Sequence, residues 1–139
     1  MEFRQACFAE ELVRHGVKAP ETFVYPVRFK AFDAATLDRI CADHPKLTAL
    51  VISVAHFRQL YPTEAEHLKR FSLLAFGESD YTRNIPGLSL LREPRHQIGS
   101  RAAELIFEPP QNAGSTAIYL PGELSIGKSC RSPEPTERK

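Results

Sequence analysis

The stretch from Arg70 to Phe107 constrains the fold most, because it joins a short apolar run, a polar loop, a second apolar run and a helical pattern. In chain order these are Phe71–Phe76, Gly77–Asn84, Leu88–Leu91 and Pro94–Glu108. Short apolar runs bounded by glycine and proline are typical of buried strands, and a proline at the start is typical of a helix. Ligands of α/β proteins bind beyond the carboxyl ends of strands, so we expect functional residues in 77–84 and 93–96.

Helix and strand patterns also alternate ahead of this stretch. They are a helix over Glu2–His15 ended by Gly16, a strand over Thr22–Val27, a helix capped by Asp33 and closed by His44-Pro45, and a strand over Leu47–Val54. In the second helix Leu37, Ile40 and Cys41 share one face at i, i+3, i+4 spacing. The alternation predicts an α/β domain with a parallel sheet, helices on both faces and right-handed crossovers.

Four segments have weaker patterns. In His56–Arg70 the pair Tyr61-Pro62 predicts a turn of helix, a break and a second short helix capped by Thr63. Thr116–Leu120 and Glu123–Ile126 are short strand candidates. From Lys128 the chain is polar and proline-bearing, which favours disorder. We therefore expect one domain over residues 1–130 and a disordered tail over 131–139.

Composition limits the class of protein. A chain of 139 residues with 42% apolar and 25% charged side chains suits one globular domain. A net charge of +1 without a dense Lys/Arg cluster argues against a general nucleic-acid surface. No apolar run approaches the roughly 20 residues that cross a bilayer, and residues 1–12 do not have the pattern of a signal peptide. The three cysteines show no metal or redox spacing, and a cytoplasmic location is expected.

The common catalytic motifs are missing from the sequence. There is no Gly-rich phosphate loop, no GxSxG, no HExxH and no pair of carboxylates at a plausible spacing. Ser129-Cys130 lies in the segment expected to be disordered, which is a poor context for a nucleophile. We therefore expect no enzymatic activity, no cofactor and no metal.

The order and spacing of several short motifs resemble the effector-binding domain of LacI/GalR-family transcriptional regulators. The matching motifs are Arg4–Phe8 for a helix opening, Ala75–Glu78 for a strand and its turn, Pro86–Ser89 for the next strand, Pro94–Gly99 with Ala102–Leu105 for a helix, and Leu120–Leu124 for a late strand. The resemblance spans residues 3 to about 130, with a shortening in 56–70. It covers about the last half of the family's effector domain.

This resemblance implies an incomplete type I periplasmic-binding-protein fold, in which two α/β subdomains close on a small effector. The effector would be a sugar, a sugar phosphate or a related metabolite. Family members work as dimers whose helix-turn-helix binds operator DNA, and that DNA-binding region is not among these 139 residues. The implied partners are thus an effector and a second copy or a full-length relative, with no membrane.

The family's effector contacts carry over to seven positions: Arg4, Arg28, Ser53, His56, Glu78, Glu93 and Arg95. Guanidinium groups suit ligand oxygens because they offer a fork of donors. Val54-Ala55 stands where the family has a polar pair, and Gly77 replaces one of two aspartates. Two explanations stay open: the effector is anionic, or effector sensing has decayed.

The resemblance also has a consequence for stability. In the family the helix matching Pro94–Glu108 packs on the first subdomain, so Ile98, Leu105 and Ile106 would lack a partner here. We therefore expect a chain that is marginally stable alone or is completed by another chain. A ligand-binding module that pairs with a full-length relative, without contacting DNA itself, is the alternative to a regulator's sensor domain.

Overall fold

A computed structural model describes residues 2–18, 24–25, 32–77, 79–108 and 118–132, with side chains from residue 5 onward. It divides into two compact units, residues 1–31 and residues 32–139. No helix in the described residues is both long enough and apolar enough to span a membrane.

The first unit contains helix α1, Glu2–Arg14, as the sequence predicts. Gly16 ends the helix at a positive φ of 80°. Its amide donates to the carbonyl of Val13, and the next amide, of Val17, donates to Leu12. This pair of bonds is the Schellman motif, in which a left-handed glycine satisfies the last carbonyls of a helix. The strand predicted over Thr22–Val27 falls outside the described residues, apart from Val24 and Tyr25.

The second unit is an α/β arrangement around four strands. Its elements in order are α2 Ala34–Asp43, β1 Ala49–Ser53, α3 Val54–Leu68, β2 Ser72–Phe76, α4 Asp80–Arg83, β3 Ser89–Arg92, α5 Arg95–Phe107 and β4 Glu123–Ser125. The strands lie in the order β1-β2-β3-β4. The α/β class and the parallel pairing of β1, β2 and β3 are confirmed.

The expectation of a wholly parallel sheet is wrong at β4. This strand pairs antiparallel with β3, with Leu124 opposite Leu91. The cause is the path of the chain, which enters β4 through Pro121-Gly122 beside the carboxyl end of β3 and runs back along it. The strand predicted over Glu123–Ile126 is therefore real but reversed, whereas Ile118–Leu120 forms no strand.

Helix α2 begins and ends where the sequence indicates. The Asp33 carboxylate accepts hydrogen bonds from the amide and the hydroxyl of Thr36, at 2.9 and 2.7 Å. This is an N-cap, which satisfies amide protons that lack a partner in the helix. His44, held before Pro45 in a non-helical conformation, closes the helix. The predicted inner face is confirmed, since Leu37 and Ile40 are buried.

Helix α3 contains the break predicted within His56–Arg70 as a kink, but its first residue and the position of the break differ from the prediction. It begins at Val54 with Ser53 as its N-cap, and it continues through Pro62 to Leu68. The only departure from helical dihedral angles in it is at Glu64, two residues after the proline. Thr63 is not the N-cap of a second helix as predicted, because its hydroxyl donates to the carbonyl of Leu60 in the preceding turn. The helix is thus kinked two residues after Pro62, and its two parts both have buried side chains: Phe57 and Leu60 before the kink, and Leu68 after it.

One face of the sheet carries the core. The strand register places Ile52, Leu73, Ala75 and Leu90 on this face, where all four are buried. Helix α3 packs against β1 and β2. Helix α2 meets α3 where Asp38 Oδ1 lies 3.8 Å from His67 Nδ1, and the Phe32 ring just before α2 lies 5.5 Å from that of His56. On the opposite face, exposed side chains remain: Val51, Leu91 and Leu124. Helices on both faces are thus not seen among the described residues of the second unit.

The segment after β4 is ordered as far as it is described, so the expectation of disorder from Lys128 is wrong for Ser129 and Cys130. The Ser129 carbonyl accepts from the amide of Leu73, and its hydroxyl donates to the carbonyl of Leu73. Cys130 Sγ lies 3.3 Å from the same carbonyl. The segment 127–131, called the clasp below, thus joins the amino ends of β2 and β3. The prediction from polar composition was wrong here because the polar groups of Ser129 and Arg131 form hydrogen bonds with residues of β2.

Candidate functional site

An open cleft of about 1120 Å³ lies at the carboxyl ends of β2 and β3. Its lining residues are 79–81 and 83 after β2, 92–97 at the end of β3 and the start of α5, 121–123 at the start of β4, and Arg58 from α3. The two loops expected to be functional, 77–84 and 93–96, therefore meet at one cleft. Ligands of α/β proteins bind at this position, beyond the carboxyl ends of parallel strands.

A capping box shapes the first loop. Ser79 Oγ accepts from the amide of Thr82 at 3.3 Å, and Thr82 Oγ1 accepts from the amide of Ser79 at 3.2 Å. Thr82 is buried, which fixes the single turn of α4 against the molecule. The turn thereby holds Tyr81 and Arg83 at the cleft.

Four arginines and three carboxylates line the described part of the cleft. The carboxylates are paired: Asp80 with Arg83 at 3.5 Å, Glu93 with Arg95 at 3.7 Å and Glu123 with Arg92 at 3.1 Å. The Arg92 guanidinium also donates a hydrogen bond to Ser125 Oγ at 3.2 Å. The cleft thus offers guanidinium groups whose positions are fixed by neighbouring acids.

Arg58 is held differently. Its guanidinium carbon lies 5.7 Å from the centre of the Tyr81 ring, a cation–π contact. The Tyr81 ring in turn meets the Tyr61 ring edge to face at 6.4 Å. None of the described carboxylates is within ion-pair distance of Arg58, so this is the cation of the cleft whose charge is least compensated by them.

The seven residues predicted to contact an effector fall into four groups by position. Glu93 and Arg95 line the cleft and contact each other. Ser53 and His56 lie together at the carboxyl end of β1 but do not line the cleft. Arg28 and Glu78 lie outside the described residues. Arg4 belongs to α1 in the first unit, and its side chain is not among those described.

Ser53 and His56 form the cap of α3. Ser53 Oγ is 2.8 Å from His56 Nδ1 and accepts from the His56 amide at 3.3 Å. The His56 ring is half-buried and meets Phe32 edge to face. Next to the cap, Val54 is buried against Gly77, whose missing Cβ would lie 3.7 Å from the valine Cβ. This corner is therefore filled by structural contacts.

Several cleft residues were not predicted individually: Arg58, Ser79, Tyr81, His96 and Glu123. Ser79 and Thr82 have the spacing of a capping box, which would have predicted the turn of α4 in the loop after β2. Arg58 could be found only by knowing that α3 runs unbroken from Val54, because one turn of helix separates these two residues. Glu123 lies at the cleft because β4 runs antiparallel to β3, and no local pattern in the sequence predicts that direction.

The described residues contain no group of three or more His, Cys, Asp or Glu that could hold a metal ion. No family model, no curated protein and no solved structure matches this chain. The cleft and its residues are therefore the basis for a functional proposal.

Proposed function

We propose that this chain is an effector-sensing domain of a LacI/GalR-like transcriptional regulator and binds a small anionic, sugar-like metabolite in the cleft. One observation carries the proposal: four arginines meet at the carboxyl ends of two parallel strands. The resemblance of the motifs and the α/β class of the second unit support it.

The chemistry of the cleft favours a ligand that is both anionic and rich in hydroxyl groups. Arg58, stacked on Tyr81, can donate to a phosphate or carboxylate without first leaving a described carboxylate. The paired acids Glu93 and Glu123 have oxygens that can also accept from hydroxyl groups. A sugar phosphate or a sugar acid has both kinds of group.

In a regulator of this kind, effector binding shifts the protein between states that differ in DNA affinity. Operator DNA would be bound through a helix-turn-helix supplied outside these residues, and the protein would act in the cytoplasm. The site would bind and release its ligand unchanged.

A second candidate is a module without effector binding, which pairs with a full-length relative. The contact of the buried Val54 with Gly77 favours this second candidate. The family has a polar residue at the position of Val54, and valine offers no hydrogen-bonding group to a ligand. The two candidates differ in one measurable property, the affinity of the isolated chain for small ligands.

Thermal-shift and calorimetric titration with sugar phosphates, sugar acids and neutral sugars tests the proposal. A true ligand stabilises the folded state by about 2.7 kcal/mol at 100 times its Kd. We expect anionic sugars to raise Tm in proportion to the logarithm of concentration, and neutral sugars to have a smaller effect. Arg58→Ala should weaken binding at least about tenfold, because hydrogen bonds to charged groups are worth about 1.5–3 kcal/mol.

Arg39→Ala is the matched control, because Arg39 is an exposed arginine on α2 that does not line the cleft. It should leave the affinity unchanged. Equal losses in Arg58→Ala and Arg39→Ala would contradict the site. A chain that binds none of the three ligand classes would support the second candidate instead.

A further inference from the structure

We propose that the pocket between α3 and the clasp is a second binding site, which takes a small aromatic monocarboxylate. The juxtaposition that carries this inference is an apolar floor below two lysines, with no acid among the described lining residues. The pocket lies at the amino ends of β2 and β3, whereas the cleft lies at their carboxyl ends. The inference therefore does not rest on the proposed function of the cleft.

The pocket is apolar inside and has a volume of about 250 Å³. Its floor consists of buried side chains from α3 and β2: Phe57, Leu68, Phe71 and Leu73. The apolar residues around this floor are only half-buried: Tyr61, Ala65, Ile85 and Leu88. Apolar surface thus stays open to solvent inside the pocket, and a ligand that covers it is favoured by the hydrophobic effect.

The clasp fixes the wall that is formed by the turn before β3. In this turn Gly87 has a positive φ of 75°, and its carbonyl accepts a hydrogen bond from the Ser129 amide at 2.8 Å. Lys128 packs on the same turn, since a Cβ added at Gly87 would lie 3.3 Å from the lysine Cβ. The pocket is therefore formed before a ligand enters, which lowers the entropic cost of binding.

The two charged residues that line the described pocket are both cations, Lys69 and Lys128. Both are exposed, so they lie at its rim. Lys69 is paired with Glu66, whereas none of the described carboxylates is within ion-pair distance of Lys128. A ligand whose apolar body fills the pocket can thus place a carboxylate beside Lys128, where a charge-assisted hydrogen bond forms.

The aromatic lining favours an aromatic ligand over an alkyl chain. Three rings line the pocket: Phe57, Tyr61 and Phe71. The rings of Phe57 and Tyr61 already pack with centroids 4.8 Å apart and planes 34° apart. Aromatic pairs in offset or edge-to-face arrangements are worth more than the area they bury. Pockets for drug-sized ligands span about 300–1,000 Å³, so this one suits a smaller molecule of one or two rings.

Calorimetric titration of the full chain with 1-naphthylacetate tests the proposal, with 1-naphthylacetamide and acetate as matched probes. We expect one 1-naphthylacetate to bind per chain. The amide has no charge and should bind about two- to fivefold more weakly, which is the size of an exposed ion pair. Acetate has no apolar body and should not bind measurably.

Two pairs of variants assign the binding to the pocket. Lys128→Gln should reduce the preference for the acid over its amide, whereas Lys46→Gln, at an exposed lysine that does not line the pocket, should not. Ala65→Leu fills part of the pocket and should weaken 1-naphthylacetate binding at least tenfold. Its control is Ala42→Leu on the exposed side of α2, which should leave the affinity unchanged. Circular dichroism checks that each variant keeps the wild-type helix content.

Nuclear Overhauser effects locate the ligand in the unmodified protein, whatever the folding of the variants. We expect them between the naphthyl protons and the methyl groups of Ile85 and Leu88. No binding of 1-naphthylacetate at millimolar concentration, equal affinity for the amide, or full affinity in a folded Ala65→Leu variant would overturn the proposal. Contacts to the exposed Ile106 of α5 in place of Ile85 and Leu88 would overturn it as well.

Discussion

Ser89 is completely buried, and its hydroxyl group uses its full hydrogen-bonding capacity. The hydroxyl donates to the carbonyl of Gly127 at 3.1 Å and accepts from the amides of Gly127 and Cys130 at 2.9 and 3.2 Å. A serine hydroxyl has one proton and two lone pairs, so nothing is left unsatisfied. Contact at Gly127 is also tight, since a Cβ there would lie 2.3 Å from the Gly87 carbonyl oxygen. One buried serine thus anchors the clasp.

Ser89→Ala should lower the free energy of unfolding by about 1–3 kcal/mol, because it leaves the half-buried Gly127 amide without its acceptor and removes one of the two acceptors of the Cys130 amide. Chemical denaturation followed by circular dichroism measures the change. Ser100→Ala, on the exposed α5, is the control and should change stability by less than about 0.5 kcal/mol. Equal effects of the two substitutions would show that the clasp does not stabilise the sheet.

Helix α2 illustrates an element whose stability depends on pH. The side-chain hydrogen bond from Thr36, followed by the backbone hydrogen bond from the same residue, holds the pKa of Asp33 below its ordinary value of 3.8. A lowered folded-state pKa means that the ionised cap stabilises the helix above pH 3.8. This stabilisation is lost as the pH falls below 3.8 through the folded-state pKa.

Thr36→Val removes the largest of these hydrogen bonds and should raise the pKa of Asp33 towards 3.8. Titration of the carboxyl carbon by NMR reports the shift directly. Asp33→Asn keeps an acceptor oxygen but cannot titrate, so its Tm should fall less steeply with acid than that of the wild type. An Asp33 pKa that does not change in Thr36→Val would contradict the cap as the cause.

At this scale the sequence predicts elements whose signals are local. The caps at Asp33 and Gly16 need only neighbouring residues, and the strands of residues 72–76 and 89–92 follow from short apolar runs between turn residues. The start of α3 at Val54 and the reversal of β4 were not predicted, because the first lies inside the segment interpreted as a strand and the second depends on the path of the chain. The candidate site was predictable as two loops, but the arginine from α3 that joins them was not.

At the scale of the whole molecule, every hydrophobic side chain found buried among the described residues belongs to residues 32–139. The four-stranded sheet, α3 and the clasp are all in the same unit. We expect a fragment of residues 32–139 to melt cooperatively, with a Tm within a few degrees of the full chain at equal concentration. Differential scanning calorimetry decides this, and a broad transition without a heat-capacity peak would contradict it.

The clasp and the cleft lie at opposite ends of the same strands. Arg131 bonds to Ser72 at the amino end of β2, whereas the cleft opens beyond the carboxyl ends of β2 and β3. Arg131 therefore lies on the side of the sheet away from the cleft. Immobilising the protein on a sensor surface through an Arg131→Cys side chain would leave the cleft facing the solution, which is the orientation that a direct binding screen requires.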